Sequence, residues 1–252
     1  MKKKLFKIIS LATCLIMIFA MTACGSSGEK LLAVTEPTFP PFDTTDENGN
    51  IIGFDMDLLD AIGQDQGFQV EYQAMNFDSL IPSIEAGNAD IIAAGMNAED
   101  PERQKKVDFS ETYYKSGLVV MVKADNNTIK GFDDLKSTMK VASQTGTTGA
   151  AEIQELKAAK KIDTAVILDE FNACIQQLIN GDVDAIVIDK PVGESFVKKQ
   201  EGKVKMVGDT MNAESYGFAV KKGNVTLQNK ISQGLKNIKA NGKYDEIYNK
   251  WF

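Results

Sequence analysis

The sequence contains no histidine. That absence excludes every histidine-based triad, histidine metal ligation and the most common general base. Cysteine is scarce: three occur in 252 residues, and none forms a C-x-x-C pair. Zinc ribbons and thiol-redox motifs are thereby excluded. There is no Walker loop and no EF-hand spacing either. An enzyme built on this chain would have only carboxylates, lysine or tyrosine to work with. No metal or cofactor is expected.

What is present is an ordinary globular composition. Apolar residues make up 43% and charged residues 25%, and the length suits one large or two modest α/β domains. The N-terminus stands apart. Lys2, Lys3 and Lys4 precede an apolar run from Ile8 to Met21, and Thr22-Ala23-Cys24 follows. A basic start, an apolar middle and small residues before a break make an export signal over residues 1–23. Met21-Thr22-Ala23-Cys24 resembles a bacterial lipobox, with methionine where leucine is usual. The resemblance implies diacylation of Cys24 as the first residue of the mature chain, which would anchor it stably to the cell membrane. Residues 24–30 would then be a flexible tether. Loss of residues 1–23 removes four lysines and takes the formal net charge from −7 to −11. So acidic a chain is unsuited to nucleic acid. Cys174 lies with Phe171, Ile175 and Leu178 at helical spacing and is expected as a small core residue.

After the tether, Leu31–Val34 reads as a first strand, ending in Thr35-Glu36-Pro37-Thr38-Phe39-Pro40-Pro41-Phe42. Three prolines hold that loop extended. The Asn48-Gly49 pair marks a turn between hairpin arms. Phe54, Met56, Leu58, Leu59 and Ile62 predict a helix over 55–66, and 68–74 alternates as a strand. Phe77, Leu80, Ile81 and Ile84 predict a second helix, stopped by Gly87. The apolar run Ile91–Ala94 is a buried strand that breaks at Gly95. Asp100-Pro101-Glu102-Arg103 follows as an N-cap and the first turn of a short helix. The order β-α-β-α-β is the grammar of a parallel sheet covered on both faces. A second series begins at Lys140, with helices over 150–159 and 171–180 and strands over 162–168 and 185–188. A helix over 191–199 and a strand over 204–207 come next. Strand-like segments near 115–120 and 211–217 join the two series, and helices over 225–238 and 244–252 finish the chain. Two lobes with a cleft between them are expected.

In open α/β sheets, ligands bind at the C-terminal ends of the strands. There the chain places Glu36, Phe39, Phe77, Gly95, Asn97 and Arg103 in one series, and Thr145, Thr147, Thr148 and Asp189 in the other. Each has a plain structural reading as well. Arg103 or Glu36 could be solvated, Phe39 could cap the core, and Phe77 could staple its own helix. Gly146–Gly149 could be only a turn and cap, and Asp189 an N-cap. Their joint placement suits an α-amino acid. Its carboxylate wants a bidentate arginine and free helix N–H groups; its ammonium wants a carboxylate and carbonyl oxygens; its side chain can lie between aromatic faces.

These stretches, together with Gly53–Leu58, Phe77–Pro82, Val107–Ser110, Gln144–Gly149, Asp184–Asp189 and Gly242–Phe252, resemble the polar amino-acid-binding proteins of bacterial ABC importers. The resemblance covers nearly the whole chain after the tether. It implies an α/β, two-lobed periplasmic-binding-protein-like type II fold with a two-strand hinge. Lobe one would be residues 31–115 plus 216–252, and lobe two 116–215. Arg103 and the Thr148 N–H would hold the α-carboxylate. Asp189 would hold the ammonium, helped by the Gly95 carbonyl and Asn97. Phe39 and Phe77 would sandwich the ligand side chain, and Glu36 would meet its far end. Asn97 departs from the family's usual serine or threonine. An ionised Glu36 favours arginine, lysine, ornithine or histidine, with glutamine or cystine as further candidates. The implied partners are a permease and its ATPase. The alternative is a cyclohexadienyl or prephenate-type dehydratase on the same fold, with Glu36 or Asp189 as its acid.

Overall fold

The computed structural model describes residues 28–252, so the export signal, Cys24 and most of the tether lie outside it. The first strand, β1 (Glu29–Thr35), begins two residues before the apolar run. Glu29 and Lys30, expected in the tether, are paired with Phe68 and Gln69 of β4 (Phe68–Ala74). A small hairpin, β2 (Thr44–Thr45) and β3 (Ile51–Ile52), carries the Asn48-Gly49 turn at its tip. Helix α1 (Phe54–Gln66) precedes β4, and α2 (Phe77–Ala86) follows it. The opening of the next strand, β5, is only Ile91–Ile92. Helix α3 (Pro101–Gln104) and strand β6 (Val107–Phe109) complete this half.

The first sheet has the order β4-β1-β5-β12-β6. Strands β4, β1 and β5 are parallel, as the βαβ grammar requires, while β12 (Ala219–Lys221) runs antiparallel between β5 and β6. The second sheet, β11-β7-β10-β8-β9, is built on a parallel core of β8 (Lys140–Gln144), β9 (Thr164–Leu168) and β10 (Ala185–Asp189). Its antiparallel edge is a long ribbon of β7 (Tyr114–Lys123) and β11 (Val204–Tyr216). Helices α4 (Thr148–Ala158), α5 (Phe171–Asn180) and α6 (Lys190–Lys199) cover it. Helices α7 (Val225–Ala240) and α8 (Lys243–Trp251) return to the first half and pack on α1.

Both sheets bury both faces, which is why their central strands are almost wholly apolar. One apolar cluster packs α1, α7 and α8 against the first sheet and continues through Phe42 and Tyr216 to Phe171 and Cys174 of α5. Val34, Leu80, Ile84 and Ile92 fill the other face of the first sheet, and Leu118, Val141, Ile153 and Val187 fill the other face of the second. Cys174 is fully buried, as its spacing predicted.

The chain crosses between the sheets twice, at 110–113 and at 217–218. The crossings are bonded to each other: the Tyr113 N–H donates to the Tyr216 carbonyl at 2.8 Å, and the Ser110 N–H to the Phe218 carbonyl at 2.8 Å. The second crossing differs from expectation. Instead of two short strands, β11 is one strand from Val204 to Tyr216, with register shifts around Met211. The shifts absorb the polar stretch 208–212, and pairing with β7 holds the strand together where its own composition would not.

Candidate functional site

Glu36 leaves the end of β1 and is almost completely buried at the junction of the two sheets. Its Oε1 accepts from the Thr38 hydroxyl at 2.6 Å, and its Oε2 accepts from Gln144 Nε2 at 3.1 Å, across the junction. Burial raises its pKa, the Thr38 and Gln144 bonds oppose the rise, and the charge of Glu170 adds to it. Phe39 sits on Gly95. Gly95 has φ +52°, and a Cβ there would come within 2.7 Å of the Phe39 ring. The same ring lies 5.9 Å from Phe171 of the second half and 6.3 Å from Tyr216. Beneath it, Asp55 accepts from the Gly95 N–H at 2.8 Å and from the Tyr113 hydroxyl at 2.6 Å. Burial pushes Asp55 up to about 7.

Arg103 is the only arginine in the sequence. Asp100 caps α3 by accepting from the Glu102 and Arg103 N–H groups, as the Asp-Pro-Glu-Arg run predicted. This aims the guanidinium across the junction, where Nη2 donates to the Gly146 carbonyl at 3.0 Å and Nη1 to the Asn97 carbonyl at 3.4 Å. Nε faces Asp100 at 3.8 Å, and the guanidinium carbon lies 5.4 Å over the Phe77 ring. Three of its five N–H groups are thus directed at protein, and one remains on each terminal nitrogen. Burial lowers its pKa, while Asp100, Glu214 and Asp189 oppose that. A cavity of about 270 Å³ opens beside it, lined in part by Phe77, Met96 and Gly146.

From the second half comes the N-terminus of α4. Thr147 is its N-cap, accepting from the Ala150 N–H at 3.1 Å. Thr148 is the first helical residue, two positions earlier than the apolar pattern suggested, and its N–H has no partner within the helix. Gly149 lets α4 press on the sheet: a Cβ would come within 2.7 Å of Ser143 Oγ and 3.0 Å of the Val187 carbonyl. Asp189 occupies the N-cap position of α6 but makes no side-chain cap bond. Its Oδ1 accepts instead from the Tyr216 hydroxyl, whose oxygen in turn accepts from the Ser116 hydroxyl at 2.9 Å. Burial raises the Asp189 pKa, against the opposing effects of its polar neighbours and of Arg103.

The sequence-predicted residues therefore meet at one junction, with one change of role. Asn97 is buried there, but its Oδ1 accepts from the Glu99 N–H at 3.1 Å and the Ser215 N–H at 3.3 Å. Both lone pairs of the amide oxygen are committed to backbone, so Asn97 has no acceptor left for an ammonium. Three residues at the junction were not among those predicted: Gln144, Tyr216 and Glu214. Alternation along the second crossing would have found the last two, because Glu214 and Tyr216 share one face of β11. Glu214 is 3% exposed beside Asp189, Thr148 and Arg103. Among the described residues, no group of three or more cysteine, aspartate or glutamate side chains is placed to hold a metal ion.

Two α/β halves joined by two bonded crossings, with cationic and anionic groups facing each other across the junction, define a hinged, two-lobed binding protein. The chain belongs to the bacterial extracellular solute-binding proteins, family 3, which matches residues 31–252. The fold is the two-lobed type II periplasmic-binding-protein fold. The chain is 31% identical over 246 residues to a probable histidine-binding protein of Neisseria gonorrhoeae, covering 92% of this chain and 91% of that one. It is 33% identical over 241 residues to a putative ABC transporter arginine-binding protein of Escherichia coli, covering 94% and 96%. Among solved structures, an ancestral arginine-binding protein bound to arginine superposes with a TM-score of 0.85 at 41% identity, over 90% of this chain and 99% of that one. One bound to glutamine superposes at 0.82 with 42% identity, over 88% and 97%. The chain is thus a substrate-binding protein, and these relatives are named as binding proteins rather than as the dehydratase that the sequence left as the alternative.

Proposed function

We propose that the chain captures a basic L-amino acid between its lobes and delivers it to an ABC importer. The observation that carries the reading is the separation of charge along the junction. Arg103 and the free Thr148 N–H stand with Asp189 at one end, and buried Glu36, close to Glu170, stands at the other. A ligand carboxylate would take the two remaining guanidinium N–H groups, and its ammonium would go to Asp189 and the Gly95 carbonyl. Phe39 and Phe77 would flank its side chain. A distal guanidinium, ammonium or imidazolium would meet Glu36, which an acidic ligand would not tolerate. Arginine, lysine, ornithine and histidine are favoured; glutamine, meeting Glu36 through hydrogen bonds, and cystine are the further candidates. The bodies that close on the ligand would be residues 31–115 with 216–252, and residues 116–215.

Titration calorimetry against the twenty amino acids and ornithine tests this reading. Tight binding of a basic amino acid without turnover is expected. In Glu36→Gln, affinity for arginine should fall much more than affinity for glutamine; equal losses would remove Glu36 from the distal site. The lipid anchor is proposed from Met21–Cys24 alone. Mass spectrometry of the protein taken from its native membrane should find a diacylglyceryl group on Cys24, and an unmodified or absent Cys24 excludes it.

A further inference from the structure

Among the described residues, Glu214 is the only buried carboxylate with a hydrogen-bond partner on neither oxygen. It lies on the hinge strand β11, opposite Ser116 of β7, and shares its strand face with Tyr216, whose hydroxyl reaches Asp189. A buried, unpaired carboxylate costs several kcal/mol or more unless something neutralises it. Asp189 and the Thr148 hydroxyl lie close enough to act on it, with Tyr216 and Arg103 beside them, but none meets either oxygen in hydrogen-bonding geometry.

An α-ammonium brings three N–H donors and needs three acceptors. Asp189 offers its second oxygen, since the first is taken by Tyr216, and Gly95 offers its carbonyl. The third acceptor expected from sequence, Asn97, is spent on two backbone N–H groups. We propose that Glu214 fills this place, as a ligand-contacting residue that grips the α-ammonium together with Asp189. The proposal rests on the amino-acid reading above and adds to it a subsite on the hinge itself. Because Glu214 lies near the end of β11, three residues before the crossing at 217–218, the ammonium would sit against the hinge end of that strand.

The contact has a consequence for protons. Without ligand, burial and the adjacent Asp189 charge push Glu214 up to about 9, so the Asp189–Glu214 pair keeps a proton near neutral pH. The groups facing it are Asp189 on β10, Tyr216 on β11, Arg103 on α3 and Thr148 on α4. An ammonium between the two carboxylates favours ionisation of both. Capture would then release the Glu214 proton to solvent, and affinity would rise with pH from neutrality towards 9.

Glu214→Gln tests this, since it keeps the size and removes the charge. Binding of arginine and of glutamine is measured by calorimetry at pH 7.5 in two buffers of different ionisation enthalpy, with thermal melts of the ligand-free proteins. The expected result is a loss of about 10- to 100-fold for both ligands. Proton release, present in the wild type, should be absent in the variant. Unchanged affinity overturns the proposal. A loss confined to arginine also overturns it, because it places Glu214 at the distal group. Weaker binding with unchanged proton release would mark a merely structural role and likewise overturn it. If the wild type binds no amino acid, the reading of the whole site fails first and this contact falls with it. If the wild type binds and the variant binds equally well, only Glu214 is misassigned. The melts control for folding: a carboxyl whose pKa is raised by folding costs stability as pH rises from its ordinary range towards 9. Ligand-free Glu214→Gln should therefore melt no lower than wild type at pH 8.

Discussion

Of the 28 basic residues in this chain, 27 are lysine, and the one arginine is buried at the lobe junction. The distribution has a physical reason. A lysine ammonium is a compact, strongly hydrated charge that suits a surface, whereas a guanidinium is less costly to bury and presents a planar fork. Arg103 is held by a cap at Asp100, a face of Phe77 and the Gly146 carbonyl, so its position does not depend on a ligand. Arg103→Ala should weaken amino-acid binding by about 2–5 kcal/mol, because a ligand carboxylate would be left without its partner. Arg103→Lys keeps the charge but loses the fork, and should recover only part of that loss. Calorimetry of both variants checks this, and wild-type affinity in Arg103→Lys would show that charge alone suffices. At Asp189, the possible role as a helix cap is not used by the side chain. A loss of binding in Asp189→Ala can thus be read without a lost cap bond.

Elements were readable where a single period ran long enough. Helix α1 announces itself by five apolar residues on one side and a stop at Gly67, and β4 by its alternation. Helix α3 is only four residues long, yet Asp100 and Pro101 mark its start because a cap needs no periodicity. Strand β11 was legible only at its ends. Its middle, Gly208 to Asn212, reads as a loop, and Asn212 has φ +51°. Its continuity comes from β7, a partner some ninety residues earlier in sequence, through paired residues such as Val207 with Val120 and Glu214 with Ser116. The element that carries the hinge was thus the one whose local sequence says least about it.

At the scale of the whole molecule, the lobes meet through a small set of contacts: Gln144 with Glu36, Arg103 with the Gly146 carbonyl, and Phe39 with Phe171. Each lobe has its own sheet and helical cover, and the apolar cluster that continues to Phe171 joins them beside the two crossings, so relative motion has to give up these junction contacts. A ligand bonded to Arg103 and Glu36 on one side and to Thr148 and Asp189 on the other gains all its contacts only in the closed arrangement. It should therefore shift the population towards closure. Small-angle scattering is expected to give a smaller radius of gyration at saturating ligand than without it. An unchanged radius would mean that the lobes are already fixed, and that selectivity comes from a rigid cleft.

The sequence by itself determined the α/β class, the division into two series and the address of most of the cleft. Those follow from periodicity, from glycine and proline stops, and from the rule that loops after parallel strands carry ligands. It could not say which polar atoms were already spent. Asn97 was readable as an acceptor, but its oxygen is filled by the N–H of Ser215, 118 residues away. Gln144 reaches Glu36 across 108 residues. Glu214 lies in a segment readable as a strand joining the two series, but the groups beside it are not readable there. Whether a donor or acceptor is free depends on neighbours brought together by folding, and those distances exist only once the lobes are packed.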